Sequence, residues 1–329
     1  MLHEHLDGGL RPQTLLELCR ERDLAVPAVD AHGLAAWMQA NANSGSLVRY
    51  LQGFGLTVAA MATPEACERV AFEAAEDARL DGCVLAEFRM APLLLEPHGM
   101  SGEAVVEALV SGLRMSKLPS GLIVCAMRTD PKEMTFRSAR LAAQYRDRGV
   151  IGFDLAGAEL GHPPGVHADA FRVAREAGLG ITCHAGEADA GSRVLEAARL
   201  GATRIGHGVK IMASADSGER TRWIDEARSL GLHFEVCPTS NVHTGTARSI
   251  ASHPIRDMIE AGLSVSCSTD NRLMSGVTLS GELAAIHDET GVSHAQIMAM
   301  MDSAARASFL PRAERDAALA ALAAASPSA

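Results

Sequence analysis

The rhythm of apolar and polar positions changes at about residue 80 of this chain. Beyond it, short β-rich runs alternate with longer helical patterns. The runs are CVLAEFR (83–89), LIVCAM (122–127), GVIGFDL (149–155), GITCH (180–184), TRIGH (203–207), LHFEVCP (232–238) and LSVSCSTD (263–270). Between them, segments such as HADAFRVAREAG and GSRVLEAARLG place apolar residues at helical spacing and close on Gly, a helix stop. Strands alternating with helices predict parallel β/α units.

Seven such strands need an eighth to close a (β/α)8 TIM-type barrel, and the remaining candidate is the opening MLHEH. Residues 13–80 are then too long for one crossover. Their helical stretches PQTLLELCRER, HGLAAWMQANA and PEACERVAFEAAEDARL predict the first barrel helix plus an inserted helical cap after strand one. The whole of 1–329 reads as one domain, with an Ala-rich helix and tail over 316–329. A doubly wound open sheet is the alternative. It predicts a Gly-rich phosphate turn after the first strand, and HLDGGLRP lacks the G-x-G-x-x-G spacing.

Composition narrows the function classes. A formal charge of −10 argues against binding a phosphate backbone, which needs clustered Lys and Arg. No apolar window approaches the roughly 18 residues of a membrane span, and no secretory pattern opens the chain. The expected partner is a small molecule. Seven cysteines without a C-x-x-C pair, several inside apolar runs, read as small buried hydrophobes of a cytoplasmic protein.

In a barrel, chemistry gathers at the carboxyl ends of several strands. Polar residues fall there repeatedly: His3, His5 and Asp7 on strand one, Asp154 on strand four, His184 and then Glu187 after strand five, His207 on strand six, Asp270 on strand eight. His3 and His5, two apart, emerge on one face of a strand and can grip one ion. With His184 and Asp270 they make a set that suits Zn²⁺ and leaves a position for water; iron(II), cobalt and manganese also fit these donors. No Lys ends strand four, so a bridging carbamylated lysine is not on offer and one metal is expected. Asp270 would then orient the nucleophilic water, and His207 would hydrogen-bond it, assist its deprotonation and stabilise charge in the transition state. Glu187 would deliver a proton to the substrate. The class of chemistry is metal-assisted hydrolytic displacement.

LHEHLDGGLRP, DLAGAE, HAGE, IGHG, EVCPTSN and STDN, in this order over residues 2–271, resemble the ordered motifs of the adenosine deaminase family, in a bacterial branch. The resemblance implies zinc on His3, His5, His184 and Asp270, and Glu187 protonating purine N1 while hydroxide adds to C6. It also implies that Asp7 binds a ribose hydroxyl and that the backbone of Gly157 donates to purine N3. The implied reaction takes adenosine, and 2′-deoxyadenosine, to inosine and ammonia.

Three features depart from the family pattern. The pair Asp270-Asn271 stands where two aspartates are usual, so that Asn271 would face purine N7 with an amide. Ala158 replaces a common acidic residue, and only Met1 and Leu2 precede His3. Either strand one is abbreviated or the natural chain begins upstream of Met1; an opening strand is usually about five residues. A version extended by one strand length is expected to be the more stable at equal zinc content.

Other readings remain open: another 6-aminopurine, such as adenine or a menaquinone-pathway nucleoside; a two-metal phosphotriesterase-like hydrolase; or a non-catalytic metal-stabilised binding protein. Arg89 is expected in a structural ion pair. Ser240 and Asn241 are expected to tie their loop through backbone hydrogen bonds. His98 and His253 are expected to be ordinary, and Glu73, Glu76 and Asp77 to form a solvated helix face.

Overall fold

The computed structural model describes residues 1–214 and 216–325. Eight parallel strands follow one another in sequence order around a single sheet. They are β1 (Glu4–His5), β2 (Ala86–Met90), β3 (Ser120–Met127), β4 (Val150–Ala156), β5 (Gly180–Ala185), β6 (Arg204–His207), β7 (His233–Val236) and β8 (Ser264–Cys267). A parallel bridge between Glu4 and Asp270 closes the ring: His5 N–H donates to Asp270 O at 2.7 Å and Asp270 N–H to His3 O at 2.9 Å. This is a (β/α)8 barrel, and the sequential strand order excludes the doubly wound sheet.

β1 is only two residues long, yet it is well anchored. Glu87 N–H donates to Met1 O at 3.0 Å and the amino terminus to Leu85 O at 3.1 Å. β7 and β8 stop short of the apolar runs that announced them, at Val236 and Cys267, because the chain leaves the ladder there to build the mouth of the barrel.

Five helices lie between β1 and β2: α1 (Pro12–Glu21), α2 (Ala31–Ala42), α3 (Leu47–Gln52), α4 (Phe54–Ala60) and α5 (Pro64–Leu80). α5 starts where Pro64 takes the first position and the Thr63 hydroxyl accepts from Ala66 N–H at 3.1 Å, the usual N-cap arrangement. It packs on α6 (Gly102–Met115), which follows β2. The contact is so close that a Cβ on Gly112 would sit 2.1 Å from Glu68 O. α3 and α4 were not expected; Gly53 and Gly55 interrupt their periodicity. Nor is the face of α5 simply solvated. Glu73 is buried beside Arg69 and Thr14, and Asp77 pairs with Arg11 at 2.6 Å and Arg272 at 3.0 Å.

Alternation along the strands divides the core. On β2, Phe88 packs with the apolar cluster between sheet and helices, while Glu87 and Arg89 belong to a buried polar lattice. There Arg89 pairs with Asp154 (2.9 Å) and Glu235 (2.6 Å), and Arg204 with Glu87 (2.6 Å) and Glu235 (2.5 Å). Arg89 is therefore structural, as expected from sequence. The last helix runs from Arg312 to Ala325, and the final part of the expected tail lies outside the described residues. All seven cysteines are free, six of them buried. No helix among the described residues is long and apolar enough to cross a membrane.

Candidate active site and metal centre

Closure of the barrel is also what assembles the site. The backbone bonds that join β1 to the segment after β8 set Asp270 beside His3 and His5. β5 brings His184 to the same point. One donor atom from each of His3, His5, His184 and Asp270 lies within 4.8 Å of all the others. Gly206 on β6 gives them room, since a Cβ there would fall 3.1 Å from His3 Cε1 and 3.2 Å from His184 Cα.

Two carboxylates beneath the cluster fix its tautomers. His3 Nδ1 lies 2.9 Å from Glu235 Oε2, and His184 Nδ1 lies 3.0 Å from Asp154 Oδ2. A ring that donates from Nδ1 keeps the lone pair of Nε2 free. Burial, with the neighbouring imidazoles, pushes His5 well below its ordinary value, so it too is a neutral donor. The consequence is a set of lone pairs aimed at one another: His5 Nε2 and His184 Nε2 are 3.2 Å apart, and His3 Nε2 is buried without a hydrogen-bond partner. A cation among these atoms resolves both features. The three imidazoles and one carboxylate fit a borderline divalent ion such as Zn²⁺.

Around this cluster opens a cavity of about 340 Å³. His5, His184, Asp270, Glu187, His207, Asp7, Gly157 and Asn271 all reach it. The residues singled out for chemistry in the sequence thus border one space, apart from His3 and Asp154, which do not line it. His207 and Asp270 both take φ of 60°, the left-handed region that costs a non-Gly residue about 1–3 kcal/mol. Both sit where the chain leaves the barrel, and the twist turns their side chains over the mouth.

Glu187 is fixed from two sides. Its Oε1 accepts from the Thr244 hydroxyl at 3.0 Å, and Oε2 lies 3.6 Å from His207 Nε2. Burial, reinforced by the charge of Asp270, lifts its carboxyl to about 7. Burial lowers His207 to about 4. Asp7 is buried with Oδ1 unpartnered and is also raised to about 7, again by burial. Asn271 Oδ1 is likewise unpartnered, and Gly8 must lack a side chain because a Cβ would meet that oxygen at 1.8 Å.

Several residues of the site carried no clear sequence signal. Glu159, in DLAGAE, accepts backbone N–H groups from Gly186 (2.6 Å), Glu187 (2.9 Å), Ala188 (2.7 Å) and Asp189 (3.0 Å), which pins the loop that carries Glu187. Ser240 and Asn241 tie their loop through the backbone as expected, with Thr244 N–H donating to Ser240 O and Ala247 N–H to Asn241 O, both at 2.9 Å. Their side chains act as well: Ser240 donates to Asp270 Oδ2 at 2.6 Å, and Asn241 contacts His207 at 3.1 Å. His253, far from ordinary, contacts Asn241 at 3.1 Å, and His98 borders the cavity. The apolar wall comes from Leu51, Phe54 and Val58 of α3 and α4 with Leu94 and Met127.

The family model described as adenosine deaminase matches residues 1–325. The chain is a member of the adenosine deaminase family. Its similarity to individual members of that family is extensive: it is 40% identical to the adenosine deaminase of Mycobacterium bovis over 96% of this chain and 90% of that one. Among solved structures, it resembles the N6-mAMP deaminase of Arabidopsis with a TM-score of 0.84 and 27% identity, covering 98% of this chain and 97% of the other. The adenine deaminase of Arthrobacter aurescens shares the fold, with a TM-score of 0.89 at 23% identity over 98% and 97% of the two chains. Adenosine deaminase family membership makes the chain a hydrolase of C–N bonds, and the His/Asp cluster is where such an enzyme could hold its metal.

Proposed function

We propose that this chain deaminates adenosine, and 2′-deoxyadenosine, to inosine and ammonia, with one zinc ion held by His3, His5, His184 and Asp270. The observation that carries the choice of substrate is Asp7. A buried carboxyl with an unpartnered oxygen at the cavity wall calls for a hydroxyl, which a nucleoside has and free adenine lacks. No Lys or Arg lines the cavity among the described residues, so a nucleotide phosphate would find no cation there.

Zinc held by His3, His5, His184 and Asp270 would acidify a water molecule to a pKa of about 7 and so supply a nucleophile at neutral pH. The protein does the rest. Glu187, protonated near neutrality and held by Thr244, gives its proton to purine N1 as the C6–O bond forms. Asp270, fixed by Ser240, orients the water, and His207 sits above it. The C6 amino group takes up the proton that the attacking water gave to Asp270 and leaves as ammonia, while the proton of the new C6 hydroxyl returns to Glu187 as the carbonyl forms. Asn271 and the Gly157 backbone face the remaining purine edges, and the α3–α4 wall excludes solvent. The free thiols suit a reducing cytoplasm.

An ultraviolet assay of the purified protein against adenosine, 2′-deoxyadenosine, adenine and AMP, with metal content measured on the same sample, tests this reading. Adenosine should give the highest kcat/KM at one zinc per chain. A higher kcat/KM for adenine or AMP overturns the substrate, and two metals per chain overturns the metal centre.

A further inference from the structure

Behind His207 a chain of hydrogen bonds runs in one direction, and a backbone amide sets that direction. Ile255 N–H donates to His253 Nδ1 at 3.1 Å. A ring nitrogen that accepts cannot also carry a hydrogen, so neutral His253 bears its hydrogen on Nε2. That nitrogen lies 3.1 Å from Asn241 Oδ1, which must accept. The other end of the amide, Nδ2, lies 3.1 Å from His207 Nδ1 and donates to it. His207 therefore accepts at Nδ1 and carries its own hydrogen on Nε2, the atom that faces Glu187 and Asp270.

The alternatives are costly because all three side chains are buried. Turning the Asn241 amide over would set its NH₂ against the Nε2–H of His253. Adding a hydrogen to His207 Nδ1 would set it against the NH₂ of Asn241. Each leaves buried donors opposed, at about 1–3 kcal/mol per unsatisfied group. As the chain stands, every nitrogen and oxygen from Ile255 N to His207 Nδ1 has a partner.

We propose that Asn241 and His253 are positioning residues that hold His207 in the Nε2–H tautomer, so that His207 meets the attacking water as a hydrogen-bond donor and not as the base that takes its proton. Of the tasks expected for His207 from sequence, it keeps hydrogen bonding and charge stabilisation and gives up the assistance to deprotonation, and for the reaction itself this rests on the deaminase reading above. As the water oxygen bonds to C6, the proton it loses goes to the Asp270 carboxylate. His207 keeps its own proton and stabilises the charge that grows on the oxygen, while the Glu187 proton goes to N1.

The test reads the tautomer directly, independently of substrate. In the metal-loaded protein labelled with ¹⁵N-histidine, the His207 resonances are identified by their loss in His207→Gln. Nε2 should be protonated and Nδ1 bare; a hydrogen on Nδ1 overturns the proposal even if adenosine proves to be the substrate. Asn241→Asp then separates donor from base. Its carboxylate draws the hydrogen to Nδ1 and leaves Nε2 bare, which would make His207 a better base and a worse donor. We expect Nδ1 to be protonated in that variant, zinc content and KM for adenosine to be unchanged, and kcat to fall about 10²-fold, as for loss of a donor to a developing oxyanion. An equal or higher kcat in a variant with the switched tautomer overturns the donor role.

Discussion

The hydroxyl of Thr244 donates to Oε1 of Glu187 at 3.0 Å, so the proton that a neutral Glu187 can give away rides on Oε2, on the side of His207. With its carboxyl lifted to about 7, Glu187 holds that proton below neutrality and loses it above. The acid form is the active one, so kcat/KM should fall as pH rises through about 7, approaching tenfold per unit. Thr244→Val removes a donor that favours the charged carboxylate, and should move this limb to higher pH. Glu187→Gln should keep its zinc and lose about 10²–10⁴ in kcat. An alkaline limb that survives unchanged in Glu187→Gln would assign it to another group.

The carboxylates under the histidines should matter nearly as much as the ligands. Asp154 holds His184 at 3.0 Å and Arg89 at 2.9 Å. Asp154→Asn should weaken zinc binding about 10–100-fold, read by competition with a chelator, because an amide neither enforces the Nδ1–H tautomer nor raises the basicity of the ring as a carboxylate does. Glu235→Gln should do the same through His3. It should also cost about 3–5 kcal/mol in stability, since Arg89 and Arg204 both lose a buried charge partner. Unchanged metal affinity in both variants would place the tautomer control elsewhere.

What could be read from sequence depended on whether a residue's task left a local trace. The strands from β2 to β8 did, because buried β-branched runs between helices are distinctive, and His3, His5, His184, His207 and Asp270 followed because each stands at or just beyond a strand end. Their convergence needed only a closed barrel. Glu159 and Glu235 left no such trace, since a buried carboxylate and a solvated one look alike until the donors around it are known. His253 was equally silent: its value lies in a contact with Asn241, twelve positions away across a loop. Leu51, Phe54 and Val58 were hidden for another reason, as apolar residues on short helices read as core rather than as cavity wall.

The anchor of the Glu187 loop should be sensitive to a one-atom change. Both oxygens of Glu159 are used by four backbone N–H groups. Glu159→Gln replaces one acceptor by a donor and leaves buried N–H groups unpaired, at about 1–3 kcal/mol each. The thermal midpoint should fall, and kcat should fall with it as Glu187 loses its fixed position, while zinc content stays the same because no ligand lies on that loop. Loss of zinc in place of loss of kcat would show that the loop supports the metal rather than the acid.

Acid should destabilise the protein through His233, whose two ring nitrogens lie 2.8 Å from Ser264 Oγ and 2.8 Å from Ser266 Oγ. Burial, with the nearby charge of Arg204, lowers this histidine to about 3. Above about 6.5 neither the folded nor the unfolded chain protonates it, so its contribution is constant. Below that, the unfolded chain takes up a proton that the folded one refuses, and stability falls by about 1.4 kcal/mol per unit until the folded value is reached. Between pH 7 and pH 5 the loss due to this one group should be about 2 kcal/mol. Denaturant unfolding of the wild type and of His233→Gln at both pH values isolates it, because the titration of the metal ligands is common to the two proteins. The variant should lose less stability than the wild type by that amount, and an equal loss in both would mean that His233 takes up its proton inside the folded barrel.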